Sequence, residues 1–415
     1  MKVRTKFLLS GVIILAVVYT SQFSSEHLAN VTNSLSGGAD ESDSRNVGEP
    51  ASKSDVLKLG YFPNLNHAQV IIGLGNGHFQ KALSENNTTG EGENHEGTAR
   101  IEEYVFSAGP SAIEALYAGQ IDAAYVGPIP AINGYLASNG EGLRIVSGSA
   151  SGGNVFVVRD DSGILSTADL GGKKFASPQL GSTQDVALRK YLIDNGYEMV
   201  ENGGNVTVVP VKPSDIVTLM MKKEIDGAWV PEPWGARLLK EANGRIFVDE
   251  RDLWPPDGKF ATTNIIVRTD FLEANPEIIE KLIDAQIDET IWINDTLKGI
   301  QIGNGSSGIP LNSVNQTNYN IDGYGKDAFI HAFNTGLERI TGSTIPEDEL
   351  RNALQRIEFT FDPLEQSLFE MADNAYDIGL IGRGGGGGKG EKPDLTNIYD
   401  LRLLREVLKE RNLIM

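Results

Sequence analysis

The sequence predicts an α/β fold of two similar lobes joined by a hinge, and three observations carry that expectation. The chain has 415 residues, enough for two compact cores. From Val56 onward short apolar runs alternate with helical patterns, the signature of βαβ units and a largely parallel sheet. One segment also echoes: Ile121-Asp122-Ala123-Ala124-Tyr125-Val126 recurs 104 residues later as Ile225-Asp226-Gly227-Ala228-Trp229-Val230. Each copy follows an apolar helical turn, with Ile113 and Leu116 matched by Val217 and Met220. Each of those helices opens on a Pro-Ser pair, Pro110-Ser111 and Pro213-Ser214, where proline costs no helical hydrogen bond. Helix start, apolar face and strand agree together, as two related lobes require.

The elements follow in order. Residues 1–20 hold Lys2, Arg4 and Lys6 ahead of an apolar run from Phe7 to Thr20, the pattern of a secretory signal. Val18-Tyr19-Thr20 is a poor cleavage site, and no cysteine is available for lipid attachment. An uncleaved membrane anchor is therefore expected in preference to a cleaved signal, although 14 residues of helix span only about 21 Å. Residues 21–54, rich in Ser, Asn, Gly and acids, read as a solvated tether. Sequons at Asn30, Asn86, Asn87, Asn205, Asn294, Asn304 and Asn315 agree with an extracytoplasmic surface.

Residues 55–148 form the first part of lobe 1, with strands at Val56–Phe62, Ile101–Ser107, Ile121–Gly127 and Leu143–Ser147. Helices begin near His67, Pro110 and Pro128, and Ser84–Arg100 reads as an exposed loop. Gly148–Gly153 reads as the first crossing between lobes, because small residues absorb changes of φ and ψ. Residues 149–267 form lobe 2, with strands at Asn154–Arg159, Lys173–Ser177, Asn205–Val211 and Ile225–Val230, and Ala261–Val267 is expected to carry the chain back. Residues 268–415 return to lobe 1 and are mainly helical, with helix starts at Asn275-Pro276 and Ile345-Pro346 and one short strand at Glu358–Phe361. The glycine run Gly384–Gly388 lies between two helical patterns and follows no strand, so it reads as a surface loop and not as a phosphate-binding turn.

Composition narrows the function. Lys plus Arg total 36 against 56 Asp plus Glu, a formal charge of −20 and a pI near 4.7. That field repels nucleic acid. The absence of cysteine removes disulfides, thiolate chemistry and Cys-ligated zinc. Only five histidines occur, none at i, i+4 spacing, so no metal site and no cofactor are expected.

In open parallel sheets ligands bind beyond the carboxyl ends of strands, where helix N-termini present unpaired N–H groups. Five turns meet that rule: Pro63–His67, Ser107–Ser111, Gly127–Pro130, Gly181–Gln184 and Pro231–Trp234. None contains lysine or arginine, so an anion held there would be bound by dipoles and neutral donors.

Five segments, LGYFPNLNHAQVIIGL, FSAGPSAIEALYAGQIDAAYVGPIPAI, ASPQLGSTQDVALRKYL, WVPEPWGARL and VDERDLWP, with the closing PDLTNIYDLRLLREVLKE, resemble the nitrate, taurine and aliphatic-sulfonate binding family of ABC importers. The resemblance covers residues 56–415 and implies a type II periplasmic-binding fold with ligand in the cleft between the lobes. It implies a monomeric binding protein with no catalytic residues, whose partners are a small anion and an importer permease with its ATPase. The chain departs from that family in its anchor and in the Ser84–Arg100 insertion, and it lacks the cysteine-rich cluster of related thiamine-precursor binders.

Carried onto this sequence, the site comprises Asn64 and Asn66 as amide donors, Gly109 and Ser111 at an oxyanion, and Gly127 for close backbone approach. Ser182 and Thr183 are hydroxyl donors or plain helix caps, Glu232 and Trp234 meet a ligand's amine or alkyl part, and His67 is a further contact or a satisfied histidine. An aliphatic sulfonate comes first, with nitrate, taurine and a neutral precursor open. Two other readings stand beside it: an enzyme using Glu232 with His67, and a surface sensor.

Overall fold

The computed structural model describes residues 53–85, 98–299, 325–382 and 391–413. The anchor, nearly all of the tether, most of the Ser84–Arg100 loop, Gly384–Gly388 and five of the seven sequons lie outside these residues. Of the two described sequons, Asn205 is exposed, whereas Asn294 donates its side-chain amide to the Phe359 carbonyl at 3.0 Å and is half-buried.

The first part of the chain runs β1 (Val56–Tyr61), α1 (Ala68–Gly75), α2 (His78–Ser84), β2 (Arg100–Val105), α3 (Gly109–Tyr117), β3 (Ala123–Val126), α4 (Pro128–Ala137) and β4 (Leu143–Gly152). The middle runs β5 (Asn154–Arg159), β6 (Lys174–Ser177), α5 (Thr183–Asp194), β7 (Thr207–Pro210), α6 (Pro213–Met221), β8 (Gly227–Pro231), α7 (Trp234–Glu241) and β9 (Gly244–Asp249). Then follow β10 (Ala261–Arg268), α8 (Thr269–Ala274), α9 (Pro276–Leu297), α10 (Lys326–Thr341), α11 (Glu347–Ala353), β11 (Ile357–Phe359), α12 (Glu365–Asp377) and α13 (Arg402–Glu410).

Two sheets result, one of six strands in the order β11-β4-β10-β3-β1-β2 and one of five in the order β7-β6-β8-β5-β9. The echo is real in topology: β3-β1-β2 and β8-β6-β7 are the same parallel unit, each flanked by an antiparallel strand, β10 or β5. The aspartate of each copy explains why the motif recurs. Asp122 accepts from the Lys58 amide at 3.0 Å and pairs with Arg268 at 3.3 Å. Asp226 accepts from the Lys174 amide at 2.9 Å and pairs with Arg159 at 3.2 Å. One carboxylate thus ties the start of a parallel strand to the end of its antiparallel neighbour and sets the register of three strands.

The expectation of largely parallel sheets is therefore corrected, since the strands that cross between lobes pair antiparallel. Each sheet has a core on both faces because strand side chains alternate. On β5, Phe156 and Val158 pack toward α5, while Val155 and Val157 pack toward α6 and α7. The first crossing falls at the end of the expected Gly148–Gly153 segment, and the return precedes Ala261–Val267. Residues 148–151 are strand in the six-stranded sheet, and the chain leaves it at Gly152 and Gly153, whose φ values of +71° and +77° favour glycine. Ala261–Val267 lies within β10, so the return runs through residues 250–260. The last strand ends at Phe359, two residues short of Phe361.

Candidate functional site

All five strand-end turns meet at one cleft between the sheets, partly open to solvent, with a cavity volume of about 30 Å³. Asn64, Asn66 and His67 come from the turn after β1, Ser107, Ala108 and Gly109 from the start of α3, and Gly127 and Pro130 from the start of α4. The second lobe supplies Pro178, Ser182, Thr183, Gln184, Pro213 and Pro231. Among the described residues no Lys, Arg, Asp or Glu lines the cleft.

The glycines are dictated by contact. A Cβ at Gly109 would lie 2.4 Å from Pro130 Cγ, and one at Gly127 would lie 2.4 Å from Thr183 Oγ1 of the opposite lobe. The lobes are in contact there, where the Ile129 amide also faces Thr183 Oγ1 at 3.4 Å. Gly127→Ala is expected to wedge the lobes apart, an overpacking cost of about 1–3 kcal/mol. Small-angle scattering checks it: a larger radius of gyration than the parent is expected, and an unchanged one refutes the wedge.

The turn before α5 is held rigid from below. Asp185, fully buried, accepts from Ser177 Oγ at 2.7 Å, from the Gly181 amide at 3.0 Å and from Arg189 Nε at 3.2 Å. Ser182 caps the helix, its hydroxyl accepting from the Asp185 amide at 3.2 Å. The amides of Thr183 and Gln184 precede the helix's own ladder and sit at its positive end.

His67 is the most informative residue. It is 1 % exposed, packs on Phe62 at 4.6 Å between ring centroids, and its Nδ1 accepts from the Phe62 amide at 3.5 Å. Burial pushes its pKa down to about 3, so the ring is neutral. With Nδ1 an acceptor, the proton sits on Nε2, which is buried with no partner among the described residues. Asn66 donates to Thr263 Oγ1 at 2.7 Å, and its Oδ1 is likewise buried without a partner.

Three sequence-selected residues are not brought to the cleft wall. Ser111 faces Gln179 across the lobes at 3.5 Å. Glu232 is fully buried and bound to Arg356, with 2.6 Å from Nε to Oε1, so it is a partner neither for a ligand nor for His67. Trp234 is half-buried and donates its indole N–H to Asn64 Oδ1 at 2.8 Å. Conversely, Phe62, Gln184, Thr262 and Pro213 line the cleft without having been selected. Gln184 stood within the turn already identified, whereas nothing in the local pattern marks Thr262.

Residues 50–300 match the model of the NMT1-like family. The chain belongs to the NMT1-like family. This NMT1-like chain is 30 % identical over 179 residues to a binding protein of Brucella abortus, covering 43 % of this chain and 53 % of that one. It therefore spans about half the length of the curated relatives it matches. Among solved structures, the periplasmic nitrate-binding protein NrtA from Synechocystis PCC 6803 superposes with a TM-score of 0.60 at 15 % identity, covering 87 % of this chain and 90 % of that one. The alkanesulfonate-binding protein SsuA from Xanthomonas axonopodis pv. citri, bound to MOPS, gives 0.58 at 17 % identity, with 80 % and 96 % covered. These likenesses establish the two-lobed type II periplasmic-binding fold for this NMT1-like chain.

Among the described residues no group of three or more His, Cys, Asp or Glu side chains is placed to hold a metal ion, and no helix is long and apolar enough to cross a membrane.

Proposed function

We propose that this chain is an extracytoplasmic solute-binding protein that captures a small anion in the interlobe cleft and delivers it to an ABC importer. An aliphatic sulfonate is the first candidate, ahead of nitrate and taurine. One observation carries the reading: a cleft without a charged side chain holds a buried, unpartnered N–H donor, His67 Nε2, beside the N-termini of α3, α5 and α6. Neutral donors and helix dipoles stabilise an anion without fixing it permanently. Fold neighbours named for nitrate and alkanesulfonate binding support the ligand class, and the one named as a periplasmic nitrate-binding protein supports the location. The permease with its ATPase, the N-terminal membrane tether, the monomeric state and the lack of a cofactor belong to the same proposal.

A second observation favours a two-ended ligand. Asn66 Oδ1 has no donor among the described residues, and a ligand N–H or O–H would satisfy it, as taurine's amine does and nitrate does not.

Thermal-shift titration tests the proposal. Ethanesulfonate at a hundred times its dissociation constant is expected to add about 2.7 kcal/mol of stability. His67→Ala and Thr183→Ala should each weaken binding by about 1–3 kcal/mol. Affinity should be flat from about pH 5 to 9, because the histidine donor stays neutral throughout that range. Silence toward ethanesulfonate, taurine and nitrate alike sinks the reading.

A further inference from the structure

We propose that Trp234 is a positioning residue: from lobe 2, it fixes which end of the Asn64 amide in lobe 1 is offered to the cleft. Indole nitrogen is a donor only, so the 2.8 Å bond from Trp234 Nε1 identifies its partner as the Asn64 oxygen. The amide N–H2 is then the end of Asn64 left for the cleft it lines. The polarity of this side chain, which alone could turn either way, is set across the lobe interface.

The surroundings support that role. The Leu65 amide donates to the Glu232 carbonyl at 3.1 Å, so the backbone beside Trp234 docks on the same turn. The Glu232 carboxylate is held by Arg356 and by the Ala236 amide, the latter at 2.9 Å, which anchors the start of α7. The Arg237 guanidinium lies 5.0 Å from the Trp234 ring centroid and covers it. Trp234 thus makes its bond across the contact between the two lobes, in a turn tied to the crossing by the Glu232 amide donating to the Gly153 carbonyl. The consequence is selectivity: with the N–H2 end presented, the cleft favours acceptors, and with the oxygen end presented it repels them.

This inference rests on the anion-binding reading for its ligand arm and is independent of it for its structural arm. In the structural arm, the four tryptophan indole N–H resonances are recorded by ¹⁵N NMR in ligand-free protein, with Trp234→Phe assigning one of them. Asn64→Ala is expected to move that resonance, while Asn64→Asp, whose carboxylate still accepts, keeps it in hydrogen-bonded position. A resonance indifferent to Asn64→Ala overturns the proposal. In the ligand arm, calorimetry with ethanesulfonate is expected to show a loss of about three- to tenfold for Trp234→Phe, the worth of one hydrogen bond. The same change in an Asn64→Ala background should have no effect, and additive losses overturn the proposal. Asn64→Asp should lose binding although its indole bond persists. If the parent binds none of ethanesulfonate, taurine and nitrate, the anion reading fails while the NMR arm still decides the pairing.

Discussion

Replacing Arg356 with methionine is expected to destabilise the protein by about 3–5 kcal/mol, because it strands a carboxylate in the interior. Glu232 is fully buried, and its Oε1 accepts from Arg356 Nε at 2.6 Å and from Nη2 at 2.5 Å. The same two residues meet at the lobe crossing. Gly153 N–H donates to the Arg356 carbonyl and Gly153 O accepts from the Glu232 amide, each at 2.7 Å. Burial already raises the Glu232 pKa, and the Arg356 charge is what opposes it. Without arginine the folded-state carboxyl moves higher still, so the penalty is present above the ordinary carboxylate range and is relieved as pH falls toward it. Denaturant unfolding near pH 7 and again near pH 5 checks this: the deficit should shrink at the lower pH. Glu232→Leu added to Arg356→Met should restore much of the loss, since replacing both members of a buried pair is often near neutral. A single-variant deficit under about 1 kcal/mol would show that the pair contributes little.

The sequence made the two-lobe plan legible because its repeat is functional in the fold. Asp122 and Asp226 do the same job in each sheet, so the motif around them survives in both copies. Their partners Arg268 and Arg159 were invisible, since antiparallel neighbours far apart in the chain supply them. The cleft was legible for a related reason. Small residues and prolines at strand-to-helix turns are a local signal, and all five turns reach the cleft wall. Which side chains point into it was not legible. Glu232 sits in such a turn yet is claimed by Arg356, 124 residues away, and Trp234 is turned onto Asn64. The first crossing falls at the last two residues of the expected Gly148–Gly153 segment because the residues before them pair as strand, whereas the return precedes Ala261–Val267. A side chain at Gly148 would collide with the Asp362 carbonyl at 2.0 Å, so packing requires glycine there.

Stability is expected to fall between about pH 6.5 and 9 through one buried histidine, by on the order of 3 kcal/mol. His78, at the start of α2, has side-chain exposure of 10 %, with Nε2 3.5 Å from Asp288 and Nδ1 3.2 Å from Glu289, both on α9. Burial disfavours the charged imidazolium, but hydrogen bonds and charge from Asp288 and Glu289 outweigh it and raise the pKa from 6.5 to about 9. The other groups facing this cluster do not substitute for the histidine. Arg411, just after α13, is engaged with Asp284 and Asp288 at 2.6 and 2.5 Å, and Asn76 donates to Glu289 at 3.2 Å but carries no charge. Glu289 is fully buried with Oε2 unpartnered, so loss of the imidazolium leaves its charge short of compensation. Between the unfolded and folded values the native state binds more protons, so its advantage is complete below 6.5 and disappears as pH rises through 9. His78→Gln should therefore be markedly less stable than the parent near pH 6 and close to it near pH 10. Urea unfolding of both proteins across that range provides the measurement. A gap between the curves that does not change with pH would assign His78 a packing role alone.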